Sequence, residues 1–318
     1  MIKIAVLGYG VVGSGVVELI TKNQENIQKN ALQNIEVKRI LVRKKLDIID
    51  NKYKFTNNFN DILNDNEISI VVEAMGGICP AFDYVKALLN NGKSVVTSNK
   101  ELVSKKGAEL IKIANEKGIS FLFEASVGGG MPIIRPMYQC LAANNFDEIV
   151  GILNGTTNYI LTKMINENIN FDDAVRMAQD MGYAEKNPTE DVEGIDACRK
   201  ICILASLAYG KQINPDNIYT QGITKITLDD VYFANKFNSS IKLIARAKRG
   251  NTNKIKCMVS PALVCNSSQL STIQDVYNGI IVKGNATGNV LFCGKGAGKF
   301  PTASAVVADV IDAVKHQH

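Results

Sequence analysis

The sequence predicts an α/β protein: a doubly wound parallel sheet joined to a second domain of α+β type. Three observations carry this expectation. Short apolar runs alternate with helix-period segments through the first third of the chain. A glycine-rich turn links the first run to the first helix, and the alternation breaks near 128–130. Strands separated by helices of this length imply right-handed βαβ crossovers and a sheet covered on both faces.

The elements follow in order. Apolar runs at 2–7, 37–42, 68–74, 94–97 and 119–124 read as strands, with helices at 13–22, 81–90 and 105–116 between them. After the Gly128-Gly129-Gly130 turn comes an apolar helix at 132–142. Helices at 171–181, 195–209 and 228–236 then mix with strands at 241–248, 254–263 and 279–284. The stretch 301–315 is an Ala/Val-rich helix apolar on most sides, as expected of one packed on a sheet. No repeat or long linker interrupts the chain. The expected layout is a first domain of 1–130 plus 302–318 and a second of 131–301.

Gly8-Tyr9-Gly10-Val11-Val12-Gly13 lies where the first strand meets the first helix. Glycines there permit a tight turn, close approach to a pyrophosphate and close helix–sheet packing, while the helix N-terminus offers N–H groups to phosphate. The stretch reads as a Rossmann-type dinucleotide site, with Gly8, Gly10, Val11, Val12 and Gly13 as its cofactor residues; a structural glycine-rich turn is the alternative. The second strand ends in Arg43-Lys44-Lys45, and Glu36 lies at its other end. Arg43 and Lys44 suit a 2′-phosphate, which favours NADP over NAD. A solvated charge run is the alternative and would leave the cofactor choice open.

Three further stretches are chemically informative. Ser94-Val95-Val96-Thr97-Ser98-Asn99-Lys100 puts a lysine just past a strand end, on the edge where ligands of such sheets bind. Thr97, Ser98 and Lys100 are candidate cofactor contacts. Glu124-Ala125-Ser126-Val127-Gly128-Gly129-Gly130-Met131-Pro132 ends another strand in a run of backbone carbonyls, or is simply a hinge. In 182–200, Asp196 and Lys200 are spaced i,i+4 on one helix face, which Thr189 could cap. Beyond Lys200 the helix is apolar all round, so the lysine enters a protein interior. Desolvation there makes proton transfer near neutral pH feasible. An ordinary surface ion pair is the competing reading.

Composition narrows the rest. The chain has 318 residues, 46% hydrophobic and 21% charged, enough to bury a sizeable core and too apolar for wholesale disorder. A net charge of +5 from scattered lysines gives no basic stripe for nucleic acid. No apolar run is long enough to span a membrane, and the N-terminus does not read as a signal peptide. Seven cysteines without a CxxC pair suggest free thiols in a reducing cytoplasm. Both histidines fall in the last three residues, which removes the usual base of Ser-His or Cys-His pairs.

Taken together, GYGVVG, VVTSNK, EASVGGGMPII, NGTTNYI, GYAE, PTEDVEGIDACRK and GKGAGKFPTASAVV closely resemble homoserine dehydrogenase, from residue 1 to about 315. The resemblance implies NAD(P)-dependent, reversible reduction of L-aspartate 4-semialdehyde to L-homoserine, in threonine and methionine biosynthesis. Carried over by motif, Lys200 resembles the proton donor and Lys100 its partner near the nicotinamide. Glu185, Asp196 and Asp191 resemble substrate ligands. Glu124 with the carbonyls of Val127, Gly129 and Met131 resembles a monovalent-cation site for Na⁺. Gly155-Thr156-Thr157-Asn158 is expected to shape the cleft, and Gly296 and Gly298 resemble the turn that brings the last helix to the cofactor. A homodimer, or a pair of dimers, through 254–284 is expected. Two departures stand out. Lys186-Asn187-Pro188 follows GYAE where the family commonly has Pro-Asp-Pro, which is expected to loosen the loop carrying Glu185. The sequence also stops where many relatives continue into an ACT domain, so a short form without threonine feedback is expected. An aspartate-semialdehyde dehydrogenase would need an activated cysteine, and a non-catalytic NAD(P) sensor would have no use for these acids and lysines together.

Overall fold

Strand β1 (Ile2–Leu7) has its last four residues buried, as the centre of a sheet covered on both faces requires. It belongs to a computed structural model that describes residues 1–43, 53–250 and 254–316. The chain divides into two units, Met1–Gly130 with Ala297–His318, and Met131–Gly296. The return to the first unit comes at Ala297, earlier than the expected 302.

In the first unit β1 is followed by α1 (Val11–Lys22), α2 (Gln24–Ala31), β2 (Ile35–Leu41), β3 (Lys54–Thr56), α3 (Asn60–Leu63), β4 (Ile68–Glu73), α4 (Ala81–Asn90), β5 (Ser94–Thr97), α5 (Lys100–Lys117) and β6 (Phe121–Leu122). The six strands are parallel in the order β3-β2-β1-β4-β5-β6. The chain therefore steps outward from β1 and then restarts on its other side, leaving a crevice at the carboxyl ends of β1 and β4. Val16, Val17 and Ile20 of α1 share a core with Ile4 and Val6 and with Ala303, Val306 and Val310 of the C-terminal helix Lys299–Lys315. Gly15 lets the two helices meet, since a Cβ there would lie 3.2 Å from that of Ala303.

The differences from expectation are local. Helix α2 buries only Ile27 and Ala31, and β3 has three residues, so neither carries a strong periodic signal. Helix α5 starts at Lys100 and not at 105, because the Asn99 side chain caps it by accepting from the N–H of Leu102 at 3.1 Å. The expected strand at 119–124 shrinks to β6, and Glu124–Ser126 is a 3₁₀ turn.

The second unit contains α6 (Ile134–Gln139), β7 (Phe146–Ile152), α7 (Gly155–Glu167), α8 (Phe171–Asp180), α9 (Thr189–Val192), α10 (Ile195–Tyr209), β8 (Tyr219–Thr220), α11 (Leu228–Lys236), β9 (Ser239–Arg249), β10 (Ile255–Cys265), β11 (Tyr277–Gly284) and β12 (Gly288–Lys295). Its sheet runs β12-β11-β7-β9-β10-β8, antiparallel except for the short β10–β8 pair. Strands β7 and β12 and helix α7 were not among the expected elements. Helix α7 has no amphipathic stripe to show in sequence, because Thr156 through Thr162 are all buried. Its polar side chains are satisfied locally: Thr157 bonds to Asn154, and Thr162 donates to the carbonyl of Asn158. Thr189 does not cap the helix of Asp196 and Lys200. It opens the separate α9, and Gly194, with φ +80°, makes the left-handed turn into α10.

One buried cation fastens this unit. Lys242 of β9 is 2% exposed, and its Nζ donates to Oδ1 of Asn158 at 3.0 Å and to the carbonyl of Ile273 at 2.6 Å. Asn158 in turn donates to the carbonyls of Ile273, Asp275 and Tyr277. Helix α7, β9 and the 273–277 connection thus meet at one ammonium. Desolvation pulls the Lys242 pKa down from 10.5 to about 8, against attraction from Asp275. The unfolded chain then holds a proton that the folded chain has lost between those values, so this group's contribution to stability rises with pH across that window. Chemical denaturation of wild type and Lys242→Met should show the stability difference moving in favour of wild type above pH 8, by at most about 1.4 kcal/mol per pH unit. Parallel stability curves for the two proteins would contradict this.

Candidate active site

In the first unit the crevice is built around three glycines. Gly8 has φ +95°, and a Cβ on it would stand 2.8 Å from the carbonyl oxygen of Ala74. A Cβ on Gly13 would reach 2.0 Å from the carbonyl oxygen of Gly8, so the strand–helix turn closes only without side chains. Gly10 differs: a Cβ there meets nothing. It is the residue preceding α1, no side chain caps the helix, and Val11 beside it is 67% exposed. A backbone helix terminus bordered by open space is what a pyrophosphate needs, so the residues fit a dinucleotide. Val12 is partly buried against the core.

Arg43 lies two positions past the end of β2 and is exposed. Lys44, expected beside it, lies outside the described residues. Glu36 is exposed at the amino end of β2, away from the crevice. Ser98 and Lys100 are half-buried at the carboxyl end of β5, and Lys100 is the first residue of α5. Thr97, also expected as a cofactor contact, ends β5. It is fully buried, and its hydroxyl donates to Oε2 of Glu73 at 2.5 Å. Gly298, with φ +118°, precedes the C-terminal helix. Glu124 is 5% exposed, and its N–H donates to Oδ2 of Asp309 at 2.8 Å. Val127 and Gly129 are buried in the turn that follows, and Gly129 has φ +56°. Met131 is buried at the start of the second unit. No group of three or more His, Cys, Asp or Glu suited to a metal occurs among the described residues. A cation at Glu124 would depend on one carboxylate and backbone oxygens, a donor set for a hard, weakly charged ion.

The second unit assembles a buried polar cluster. Lys200 and Asp196 are 7% and 2% exposed, and Nζ lies 2.7 Å from Oδ2 of Asp196. The same Nζ donates to the carbonyl of Leu153 at 2.8 Å. Asn154 caps α7 by accepting from the N–H of Thr157, and its Nδ2 donates to Asp196 at 2.9 Å and to Asp191 at 2.6 Å. One amide therefore joins two of the three acids expected as substrate ligands. Beyond Lys200 the helix buries Ile201, Cys202, Ile203 and Leu204, as the sequence implied. Glu185 stands apart from this cluster in burial: it is exposed, in the connection between α8 and α9. Its loop is nevertheless held. Thr156 donates to the carbonyl of Tyr183 at 2.8 Å, Gln179 to that of Glu185 at 3.1 Å, and Thr189 to Oδ1 of Asn187 at 2.5 Å. Asn187, at the position of the acid in the family's Pro-Asp-Pro, thus supplies a turn contact of its own.

Asn154 and Glu73 are the residues sequence reasoning passed over. Asn154 stands in a quoted motif, and its position before a run of Thr and Asn was a capping signal. Glu73 is the one acid closing an otherwise apolar strand. Two of the cysteines are poor nucleophiles, since burial pushes the Cys202 and Cys257 thiols up to about 12 and about 11.

Comparison with known proteins agrees with this architecture. Residues 132–311 match the family model described as homoserine dehydrogenase, and residues 8–124 match that of the homoserine dehydrogenase NAD binding domain. The homoserine dehydrogenase of Synechocystis sp. is 42% identical, over 98% of this chain and 73% of its own length. The crystal structure of a homoserine dehydrogenase from Thiobacillus denitrificans matches with a TM-score of 0.95 at 41% identity, covering 99% of this chain and 73% of that one. A hyperthermophilic archaeal homoserine dehydrogenase in complex with NADPH matches with a TM-score of 0.83 at 27% identity, covering 98% and 97%. The chain belongs to the homoserine dehydrogenase family, NAD(P)-linked oxidoreductases that interconvert L-homoserine and L-aspartate 4-semialdehyde.

Proposed function

We propose that Lys200 is the proton donor of this reaction, that Lys100 assists it, and that Asp191, Asp196 and Glu185 bind the amino-acid substrate. The first unit would hold the dinucleotide and the second the substrate. The observation that carries the reading is the buried lysine–aspartate pair. When bound, the dinucleotide exchanges hydride with the carbonyl carbon. As charge builds on the aldehyde oxygen, the Lys200 ammonium stabilises it and then delivers its proton. Asp196 and the Leu153 carbonyl fix the direction of Nζ, and the carboxylate helps the amine regain a proton in the reverse cycle. Asp191 and Glu185 supply negative charge for the substrate's ammonium group.

NADP is the proposed cofactor. Arg43 at the end of β2 supports it, as does the NADPH carried by the archaeal relative. Na⁺ is the proposed cation, at Glu124 with the carbonyls of Val127, Gly129 and Met131; its role would be to organise the turn. A homodimer through the strands of 254–284 follows from the usual closed symmetry of soluble assemblies. A cytoplasmic setting is supported by seven cysteines that are all free. No helix among the described residues is long and apolar enough to cross a membrane.

NADP- and NAD-linked homoserine oxidation, run with and without Na⁺ and with mass measured by light scattering in the same buffer, tests these assignments together. Faster turnover with NADP, activation by Na⁺ and a mass of a dimer or a pair of dimers are expected. Indifference to Na⁺ would remove the cation site, and a fully active monomer would remove the dimer. Lys200→Ala should lose about 10²–10⁴-fold in kcat, the usual worth of a general acid, with dinucleotide binding nearly intact. Retention of more than about a tenth of wild-type kcat would take Lys200 out of the donor role. Glu185→Ala should raise the KM for homoserine; a change in cofactor affinity alone would contradict that assignment. Arg43→Asp should weaken NADP more than NAD, by loss of a charge-assisted contact and added repulsion. Equal losses for both nucleotides would show the end of β2 to be plain surface.

A further inference from the structure

Two neighbouring strands of the first unit end in side chains bonded to one another. Glu73 is the last residue of β4 and is fully buried. Its Oε1 accepts from the N–H groups of Met75 at 2.7 Å and Gly76 at 3.3 Å, which shapes the turn leaving the strand. Its Oε2 accepts from the hydroxyl of Thr97, the last residue of β5. The Thr97 oxygen accepts in turn from the N–H of Asn99 at 2.9 Å. Asn99 then closes the circle: its Nδ2 donates to the carbonyl of Gly77 at 2.6 Å, and its Oδ1 caps α5. Lys100 is the next residue.

We propose that Glu73 is a positioning residue for the reaction, its ring of hydrogen bonds with Thr97 and Asn99 fixing the loops after β4 and β5 and the direction in which Lys100 is presented. The reading of Lys100 as a participant is the one part taken from the proposed function. The ring is directional. Three donors converge on the carboxylate, and the threonine hydroxyl both receives and gives, so no member can be replaced by an apolar group without orphaning another. A carboxylate enclosed by strand ends does nothing there that a leucine would not do for packing alone. Burial pushes its pKa up, and the converging N–H and O–H groups oppose that rise. The carboxylate lies on the sheet edge where the chemistry of a doubly wound fold takes place, and its partners are the residues that start the Lys100 helix.

The experiment compares steady-state kinetics and Tm for Glu73→Leu, Glu73→Gln, Thr97→Val and Thr97→Ser, each in the intact enzyme and in a Lys100→Ala background. Thr97→Val and Glu73→Leu should lower kcat/KM by about 10²-fold, the scale of a displaced catalytic group. Serine, which keeps the hydroxyl, and glutamine, which keeps an acceptor for the Met75 and Gly76 N–H groups, should restore most of it. In the Lys100→Ala background Thr97→Val should cost little more, because both changes act through the same lysine. If Glu73→Leu does not fold, Thr97→Val carries the test. A Thr97→Val enzyme with lowered Tm and unchanged kcat/KM would make the ring merely structural and overturn the proposal. Fully additive losses would overturn the route through Lys100. A fully active Lys100→Ala enzyme would instead refute the reading of Lys100, while the Thr97→Val result still decides on the ring.

Discussion

An ammonium and a carboxylate held 2.7 Å apart near the head of α10, almost out of water, make the heaviest demand on this structure. Such a pair is a poor device for stability, because desolvating both ions offsets most of their attraction. Removing either partner costs about 3–5 kcal/mol by stranding the other. The surroundings are what that situation requires. The Leu153 carbonyl takes a second bond from Lys200, Asn154 donates to Asp196, and Asp191 shares the same amide. Helix α7 must therefore start at Asn154, and α10 must start after the turn at Gly194. The 273–277 connection and Lys242 then hold α7 one turn further on, at Asn158.

The first unit meets a different constraint, one of space. A turn that brings the Gly8 carbonyl oxygen to 2.0 Å from where a Cβ on Gly13 would stand admits no other residue there, whereas a Cβ on Gly10 would meet nothing. Close packing at one glycine and emptiness at another are two halves of one requirement. The chain must fold tightly on itself and yet leave its helix terminus open toward a ligand.

Much of this was legible in the residues. Strands β1, β4 and β5 are largely buried, so they appear as mainly apolar runs, with Lys3 and Ser69 near the amino ends of β1 and β4, and the glycine turn between β1 and α1 has a fixed spacing. The i,i+4 spacing of Asp196 and Lys200 translated directly into contact. What stayed hidden was polar and buried. Helix α7 shows no stripe, because its Thr and Asn side chains face the interior with partners that only the fold supplies. The start of α5 was misplaced by five residues (105 against Lys100) because a cap decides it and periodicity does not. Glu73 shows in sequence only as part of a strand, since its partner Thr97 comes from the end of the next strand and Asn99, bonded to Thr97, from the cap of α5.

Asparagine recurs at these points for a reason that helix capping alone does not explain. Aspartate or serine would cap α5 and α7 about as well. Neither could do the second job. Asn99 and Asn154 each accept the helix N–H through Oδ1 while donating through Nδ2, to the Gly77 carbonyl in one case and to two carboxylates in the other. An aspartate at 154 would cap the helix and set a third negative charge against Asp191 and Asp196, leaving Lys200 to neutralise all three. A serine would cap it and leave both acids without their shared donor. In both units the residue that caps the helix also fastens the polar groups beside it, which ties the placing of a lysine, Lys100 after Asn99 and Lys200 beside Asn154's acid partners, to a local rule of helix formation.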